Sequence, residues 1–228
     1  MRTLSYIILV SVSISLLLSC KKSKWKEPTD VSFMVDINKS TAVNGNLSFT
    51  GGNIILREIE FDGKRIQADD VYFESEYDNG LNIPFSSSTV NGELQFDIPQ
   101  GTYTTIRIDF RAENSGTESM KVVGIFKNSG GIDVPVIVEP KRIEFYDQVS
   151  KNGQNETEID LIATQPSIAV IKLNPVYWFA TVSMTQMEDA QTVMVNGVES
   201  IVISEVVNED IYDIIDDRFG GGVEIIFD

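Results

Sequence analysis

The sequence predicts a mainly β fold, an antiparallel β-sandwich with one short C-terminal helix and a final strand. Three observations predict it. Six Asn-Gly or Asp-Gly pairs punctuate the chain, at Asn44-Gly45, Asp62-Gly63, Asn79-Gly80, Asn91-Gly92, Asn152-Gly153 and Asn196-Gly197. These residue types tolerate the positive φ that type I′ hairpin turns require. Short runs alternate apolar and polar residues, the period of a half-buried strand. The composition, 42 % hydrophobic and 23 % charged, is that of a globular protein and not of a disordered one.

The elements follow in order. Residues 53–61 read as a strand that runs into Asp62-Gly63, with 64–66 continuing after a turn. Residues 93–98 follow Asn91-Gly92 with strict alternation. Residues 102–110 alternate from Tyr103 on, which puts Thr104, Ile106, Ile108 and Phe110 on one face. Residues 121–126, 132–138, 143–146, 158–162, 168–173 and 198–203 read as further strands. Pro99, Pro135, Pro140 and Pro166 sit at run ends or on edge strands, where a missing N–H is tolerable. The body is 30–228; near Asn114-Ser115-Gly116 it either divides into two lobes, 30–113 and 117–228, or passes through one long loop.

Two segments carry helix signals. Asn174-Pro175 is a cap followed by Pro at the first helical position, so residues 176–180 form a short helix or, on their β-rich composition, a strand. Asn208 caps 209–219, with Ile211, Tyr212, Ile214, Ile215 and Phe219 on one side. Glu209 and Asp210 suit the positive end of that helix. Gly220-Gly221-Gly222 stops it, and 223–227 fits a final strand.

The N-terminus reads as an address. Arg2 and the amino terminus precede an uncharged, mostly apolar run, 7–18, which is the layout of a secretory signal and too short for a comfortable membrane span. The run ends in Leu17-Leu18-Ser19-Cys20. This resembles the bacterial lipoprotein lipobox. The resemblance implies that 1–19 is a signal peptide removed after Ser19, that Cys20 takes a diacylglycerol on sulfur, and that the new amine is acylated. It implies a membrane partner through the lipid on Cys20, in the envelope of a Gram-negative-type bacterium, at the outer membrane. Residues 20–29 form the lipidated Cys and a basic tether. Lys21, Lys22, Lys24 and Lys26 would lie near anionic headgroups with Trp25 at the interface, or the segment is a plain solvated linker. An acidic run after the lipidated Cys marks surface export in some lipoprotein families. The basic tether departs from that pattern and favours a periplasm-facing body.

Charge and residue counts exclude whole classes of function. There are 18 basic and 34 acidic side chains, for a net charge of −16, a poor nucleic-acid binder. The first 26 residues hold five of the basic groups and none of the acidic ones, so the remainder carries 13 against 34, a net of −21. One Cys cannot form an internal disulfide, and with no His every His-dependent triad, zinc site or proton shuttle is excluded.

Carboxylates remain. Paired acids could hydrolyse a glycoside, and Asp69-Asp70, Glu74, Glu76, Asp78, Glu188-Asp189 and Asp216-Asp217 are candidates. So many acids make an apparent pair expected by chance, and solvated sheet and loop faces explain them as well. No cofactor is implied except calcium, for which Glu74, Glu76 and Asp78 are weak candidates: they alternate before a turn and offer hard oxygen ligands. They fail the EF-hand spacing, since Gly80 falls at position 7 and Phe85 stands where Glu belongs. In a strand, alternation simply turns these acids to solvent while Phe73 and Tyr77 face in.

Residues 98–108, Ile-Pro-Gln-Gly-Thr-Tyr followed by an alternating run, resemble a strand of carboxypeptidase-regulatory-like and transthyretin-like modules, and more closely an uncharacterised β-sandwich lipoprotein family in which Trp-Phe, here Trp178-Phe179, comes late. The resemblance implies a transthyretin-like or Ig-like sandwich and says nothing of function. Fimbrillin-type pilus subunits share this layout, and 223–228 could act as a donated strand. The expected function is therefore non-enzymatic: a lipid-anchored envelope protein presenting a β-sandwich for binding or assembly, to an envelope protein or a glycan. The alternative is a fimbrial subunit or anchor, and a carboxylate-dependent glycan hydrolase comes third. A glycan-binding module would expose aromatics on one surface, with Trp25, Trp178 and the tyrosines as candidates.

Overall fold

The computed structural model describes residues 24–85, 94–114 and 117–228. The expectations for 1–20, Cys20, Asn91-Gly92 and Ser115-Gly116 lie outside these residues. Fourteen strands are described. They are β1 (Pro28–Ile37), β2 (Leu47–Arg65), β3 (Val71–Pro84), β4 (Gln95–Pro99), β5 (Gly101–Glu113), β6 (Met120–Lys127), β7 (Asp133–Val138), β8 (Arg142–Val149), β9 (Lys151–Asn152), β10 (Ile159–Leu161), β11 (Ser167–Leu173), β12 (Thr192–Val195), β13 (Val198–Ile203) and β14 (Val223–Phe227). Three short helices are α1 (Pro175–Trp178), α2 (Met184–Asp189) and α3 (Glu209–Asp216). No helix among the described residues is long and apolar enough to cross a membrane.

The strands form two sheets. One has five strands in the order β4-β1-β11-β14-β9. The other has nine and curls into half a barrel; its path is β10-β5-β2-β6-β7-β13-β12, with β3 added on β2 and β8 on β5. Both inner faces feed one core, in which Phe33, Phe61, Tyr103, Phe145 and Trp178 are fully buried. Phe73 of the nine-stranded sheet meets Phe96 of the five-stranded one at 5.0 Å between ring centroids. Strand β1 shows the underlying pattern most plainly: Val31, Phe33, Val35 and Ile37 are buried and alternate with polar or half-exposed residues.

The sheets depart from a purely antiparallel arrangement. Three pairs are parallel: β1 with β11, β7 with β13 and β9 with β14. Parallel neighbours need a long crossover, and each pair here has one. Between β1 and β11 the chain builds most of the nine-stranded sheet, so the two halves of the chain share both sheets.

The five described Asn-Gly and Asp-Gly pairs do not all make the turns they announce. Asn196-Gly197 is a two-residue hairpin between paired Val195 and Val198, with φ of 51° and 82°, as a type I′ turn requires. Asn44-Gly45 lies in a single 3-10 turn, Val43–Gly45, and Asn152-Gly153 carries the chain from the end of β9 into the following turn. Asp62-Gly63 is no turn. It lies inside β2, paired with β3 on one side and β5 on the other. Gly63 is there for packing: a Cβ would come 2.5 Å from the Tyr103 ring. Asn79-Gly80 belongs to a bulge in β3, where residues 77–80 stand opposite Arg57 alone. Arg57 Nη1 donates to the carbonyls of Tyr77 and Asp78 and so closes the bulge. A second bulge corrects the face assignment in β5. Lys64 pairs with Thr105 and Arg65 with Tyr103, so Thr104 is skipped. It turns to solvent, while Ile106, Ile108 and Phe110 stay buried.

The helices extend the expectation of one C-terminal helix: the described residues hold three α-helices, of which the first settles the helix-or-strand alternative after Asn174-Pro175 and the second, at Met184–Asp189, is beyond the sequence expectations. Asn174 does cap α1, accepting from Tyr177 N. Helix α2 carries a capping box, with Ser183 and Gln186 serving each other's backbone N–H. Asn208 precedes α3 but does not cap it with its side chain. That side chain instead ties Gln191 and the Val202 carbonyl together, across two strands. Trp178 and Phe219 meet edge to face at 5.0 Å, and the indole lies on Gly222.

The last contact sets a test. A Cβ on Gly222 would stand 2.0 Å from Trp178 Nε1, whereas one on Gly220 meets nothing within 4 Å. Overpacking against a fully buried ring costs about 1–3 kcal/mol. Gly222→Ala should therefore lower the unfolding free energy measured by urea titration by that amount, and Gly220→Ala should leave it near the wild type.

Candidate binding face

The outer face of β3, β2, β5 and β8 gathers many charged side chains, and strand pairing is what assembles them. Register sets Glu74 opposite Glu60 and Glu76 opposite Glu58. On the other side of β2, Glu58 faces Arg111, Glu60 faces Asp109 and Asp62 faces Arg107. Beyond β5 lie Glu144 and Arg142 of β8. Like charges directly opposite cost about 0.2–1 kcal/mol per pair, so Glu60–Glu74 and Glu58–Glu76 are unfavourable by themselves.

Cations offset part of this. Arg111 gives Nε and Nη2 to one oxygen of Glu58, at 3.1 and 2.5 Å, and Nη1 to Glu113 at 3.0 Å. Arg142 pairs with Glu144. The Tyr72 hydroxyl donates to Glu60 at 3.1 Å and to Glu74 at 3.4 Å. Loss of water around that hydroxyl, reinforced by the two carboxylates, holds its pKa up at about 12. Desolvation, then the neighbouring Glu58, pushes Glu60 above the usual carboxylate range.

Asp109 has a structural task. Its Oδ1 accepts the backbone N–H of Asp147 at 2.7 Å, and Asp147 sits at φ 54°, at an irregularity of the β5–β8 ladder. Partial burial raises the Asp109 pKa, against the pull of that hydrogen bond. A depression of about 160 Å³ opens here, lined by Glu60, Asp62, Tyr72, Arg107, Asp109 and Asp147. Tyr72 and Tyr146 are both largely exposed, at 62 % and 59 %. The Tyr146 hydroxyl, and then Arg142, hold the Glu144 pKa below the usual carboxylate value.

The sequence candidates for calcium are separated in part. Glu74 and Glu76 come together with Glu58, carboxylate oxygens within 4.8 Å of one another. Asp78 stands in the β3 bulge, outside that trio. Three hard oxygens at that spacing can hold a Ca²⁺ that keeps waters in its remaining positions. Glu58 was not among the sequence candidates. Its alternation with Glu60 is visible in residues 53–61, but only register places it against Glu76.

Of the carboxylates considered for glycoside hydrolysis, only Glu74 and Glu76 come together; the others fall in separate places. Asp69 and Asp70 lie in the turn after β2, where Asp70 accepts from Arg65 N. Glu188 of α2 accepts from Ser129 N at 2.8 Å, which lowers its pKa. Asp216 of α3 accepts from the Tyr212 hydroxyl, and burial raises its pKa. Of the aromatic candidates, Trp178 is core, and Trp25 is half-buried with Lys24 Nζ 5.2 Å from its ring. The exposed aromatics of this face are tyrosines, Tyr72 and Tyr146.

Comparison with known proteins brings no relative: no family model, no curated protein and no solved structure matches the chain.

Two predictions follow from the charges. Glu74→Gln removes one opposed pair and should raise stability by about 0.5 kcal/mol in metal-free buffer; millimolar Ca²⁺ should raise the wild-type melting midpoint but leave that of Glu74→Gln unmoved. The second concerns pH. Glu60, Asp109 and Asp216 hold protons more tightly folded than unfolded, so their contribution is most favourable in acid and is lost as pH rises through their folded-state pKa values. Glu144 and Glu188 have the opposite sign and lose their contribution at lower pH. The melting midpoint at constant ionic strength should therefore rise as pH falls from neutral toward the ordinary carboxylate range, about pH 4, and fall again below it as Glu144 and Glu188 take up protons.

Proposed function

We propose that the protein is a non-enzymatic, lipid-anchored envelope protein that presents a β-sandwich for binding. The lipobox ending in Cys20 supplies the anchor, and the two sheets around one core supply the sandwich. The observation that carries the reading is how soon the body begins after Cys20. Lys24 is already tied to the folded part, its carbonyl accepting from Gln100 Nε2 at 2.7 Å. Anchor and body form one continuous device.

The surface offered for binding is the outer face of β3, β2, β5 and β8. Two exposed tyrosines flank a polar depression with acids and Arg107. Aromatic faces combined with fixed carboxylate and guanidinium groups suit a glycan, whose ring faces stack and whose hydroxyls both donate and accept. The Glu58, Glu74 and Glu76 oxygens would add a Ca²⁺ to that surface. The body faces the periplasm from the outer membrane, as the basic tether suggests.

A specific observation keeps the assembly reading alive. Strand β14 is antiparallel to β11 over its length, but β9 covers only Ile226 and Phe227 on its other side. A fimbrial subunit would exchange such a terminal strand with a neighbour.

Replacing Cys20 by Ser should abolish acyl labelling and move the protein from the membrane to the soluble fraction. Unchanged labelling and fractionation would sink the anchor. Light scattering on the mature protein separates the two readings of the body: a monomer fits the presenter, and strand-exchanged oligomers fit the subunit.

A further inference from the structure

Residues 24–27 are clamped to the body. Gln100 is nearly buried, 7 % exposed, and every polar group of its side chain has a partner, the amide nitrogen on 24–27 and the oxygen on Ala163. Its Nε2 donates to the Lys24 carbonyl and to Glu27 Oε2, at 2.7 and 3.0 Å, and its Oε1 accepts from Ala163 N. Its backbone N donates to the Glu27 carbonyl at 2.8 Å. Arg65 makes the second half of the clamp. Nη1 donates to the carbonyls of Trp25 and Gln100, at 2.8 and 3.1 Å, while Nε and Nη2 hold the Asp69 carbonyl. An arginine that serves four carbonyl contacts in this way is structural. A freely solvated linker would need none of it.

The clamp shortens the leash. Between Cys20 and Lys24 stand only Lys21, Lys22 and Ser23, so the two ends can be at most about 14 Å apart. The end of the body held so close is defined by the turns around Gln100. They are the β4–β5 turn itself, the 66–70 turn after β2, where Ile66 N donates to the Thr102 carbonyl, and the turn after β10 closed by Ile162 and Gln165. Two of these turns expose aliphatic side chains, Ile66 at 59 % and Ile162 at 43 %. Trp25, Lys24 and Lys26 lie beside them. Asp69 and Asp70 at the base of the 66–70 turn limit how deep it can sit. Strand β1 leaves this end and rises about 30 Å to Ile37.

We propose that this end of the body rests on the phospholipid headgroups, with Trp25, Ile66 and Ile162 at the bilayer surface and Lys24 and Lys26 against lipid phosphates. The proposal rests on the Cys20 anchor. The protein then stands in one orientation, β1 running away from the membrane, instead of tumbling on a string. The cleft of about 350 Å³ lined by Asn38, Lys172, Asn174 and Glu224 lies at the opposite end and faces away from the lipid.

The test uses the full lipidated chain in phosphatidylethanolamine–phosphatidylglycerol vesicles. Cys20 is the sole native Cys and is consumed by lipid, so a fluorophore can be placed through Ile66→Cys, Ile162→Cys or Lys39→Cys. A phospholipid with a nitroxide on its headgroup is the quencher. Quenching at positions 66 and 162 should exceed that at 39 several-fold. Equal quenching at the three sites, or stronger quenching at 39, overturns the orientation. A flexible Gly-Ser stretch inserted between Ser23 and Lys24 should erase the difference while the protein still floats with the vesicles; a fully retained difference overturns the role of the short leash. Flotation itself reports the anchor. If Cys20→Ser floats as well as the wild type, the anchor reading fails, and the two failures are told apart.

Discussion

The pairing of β2 with three neighbours is the constraint on which the rest depends. Its first half runs beside β6 and its second half beside β5, with β3 along the other edge. One nineteen-residue strand therefore fixes the curl of the large sheet, the burial of Phe61 between Phe73 and Tyr103, and the register of the charged face. A slip of one residue would turn every side chain of that strand over. The Arg57 bulge and the skipped Thr104 absorb the mismatches that three simultaneous ladders impose. They cost regularity, and they let Glu58, Glu60 and Asp62 point outward while Leu56, Ile59 and Phe61 point in.

The balance of charge on that face follows from the same pairing. Acids outnumber the arginines along it; register gives Arg111 its Glu58 partner and alternation along β5 adds Glu113, while Arg107 and Arg142 pair with Asp147 and Glu144. Tyr72 completes the set as a neutral donor between two carboxylates. A surface so arranged is held together by hydrogen bonds more than by net attraction, since exposed ion pairs are individually weak. Its excess of acceptors would be eased by positive charge or by hydrogen-bond donors.

Much of the strand content was legible in the sequence, because alternation is a local property. Strands β5, β6, β11, β13 and β14 correspond to runs the sequence marks out. Strand β1 carries as clear a pattern in Val31, Phe33, Val35 and Ile37, yet it adjoins a segment that reads as a tether. Turn pairs were less reliable guides. Asn196-Gly197 makes the hairpin it announces, but Gly63 serves the Tyr103 ring and Gly80 a bulge, and both needs arise only after folding. The Ser183–Gln186 capping box was written in the chain and announces α2. The acidic trio was half legible: Glu74 and Glu76 share a strand, while Glu58 joins them through a pairing between distant residues. Parallel pairs such as β1 with β11 leave no local trace at all.

The two tryptophans stand at opposite ends of the molecule. Trp178 is sealed beneath α3 against Gly222, in a dry site beyond the end of β11. Trp25 is half-open and cushioned by Lys24 beside the clamp. With no other indole in the chain, intrinsic emission divides into two spectroscopically distinct sources: a blue-shifted one that reports whether the interior is intact, and a red-shifted one that reports what lies against the Trp25 end. The molecule carries its own pair of optical probes, one for its fold and one for its surroundings.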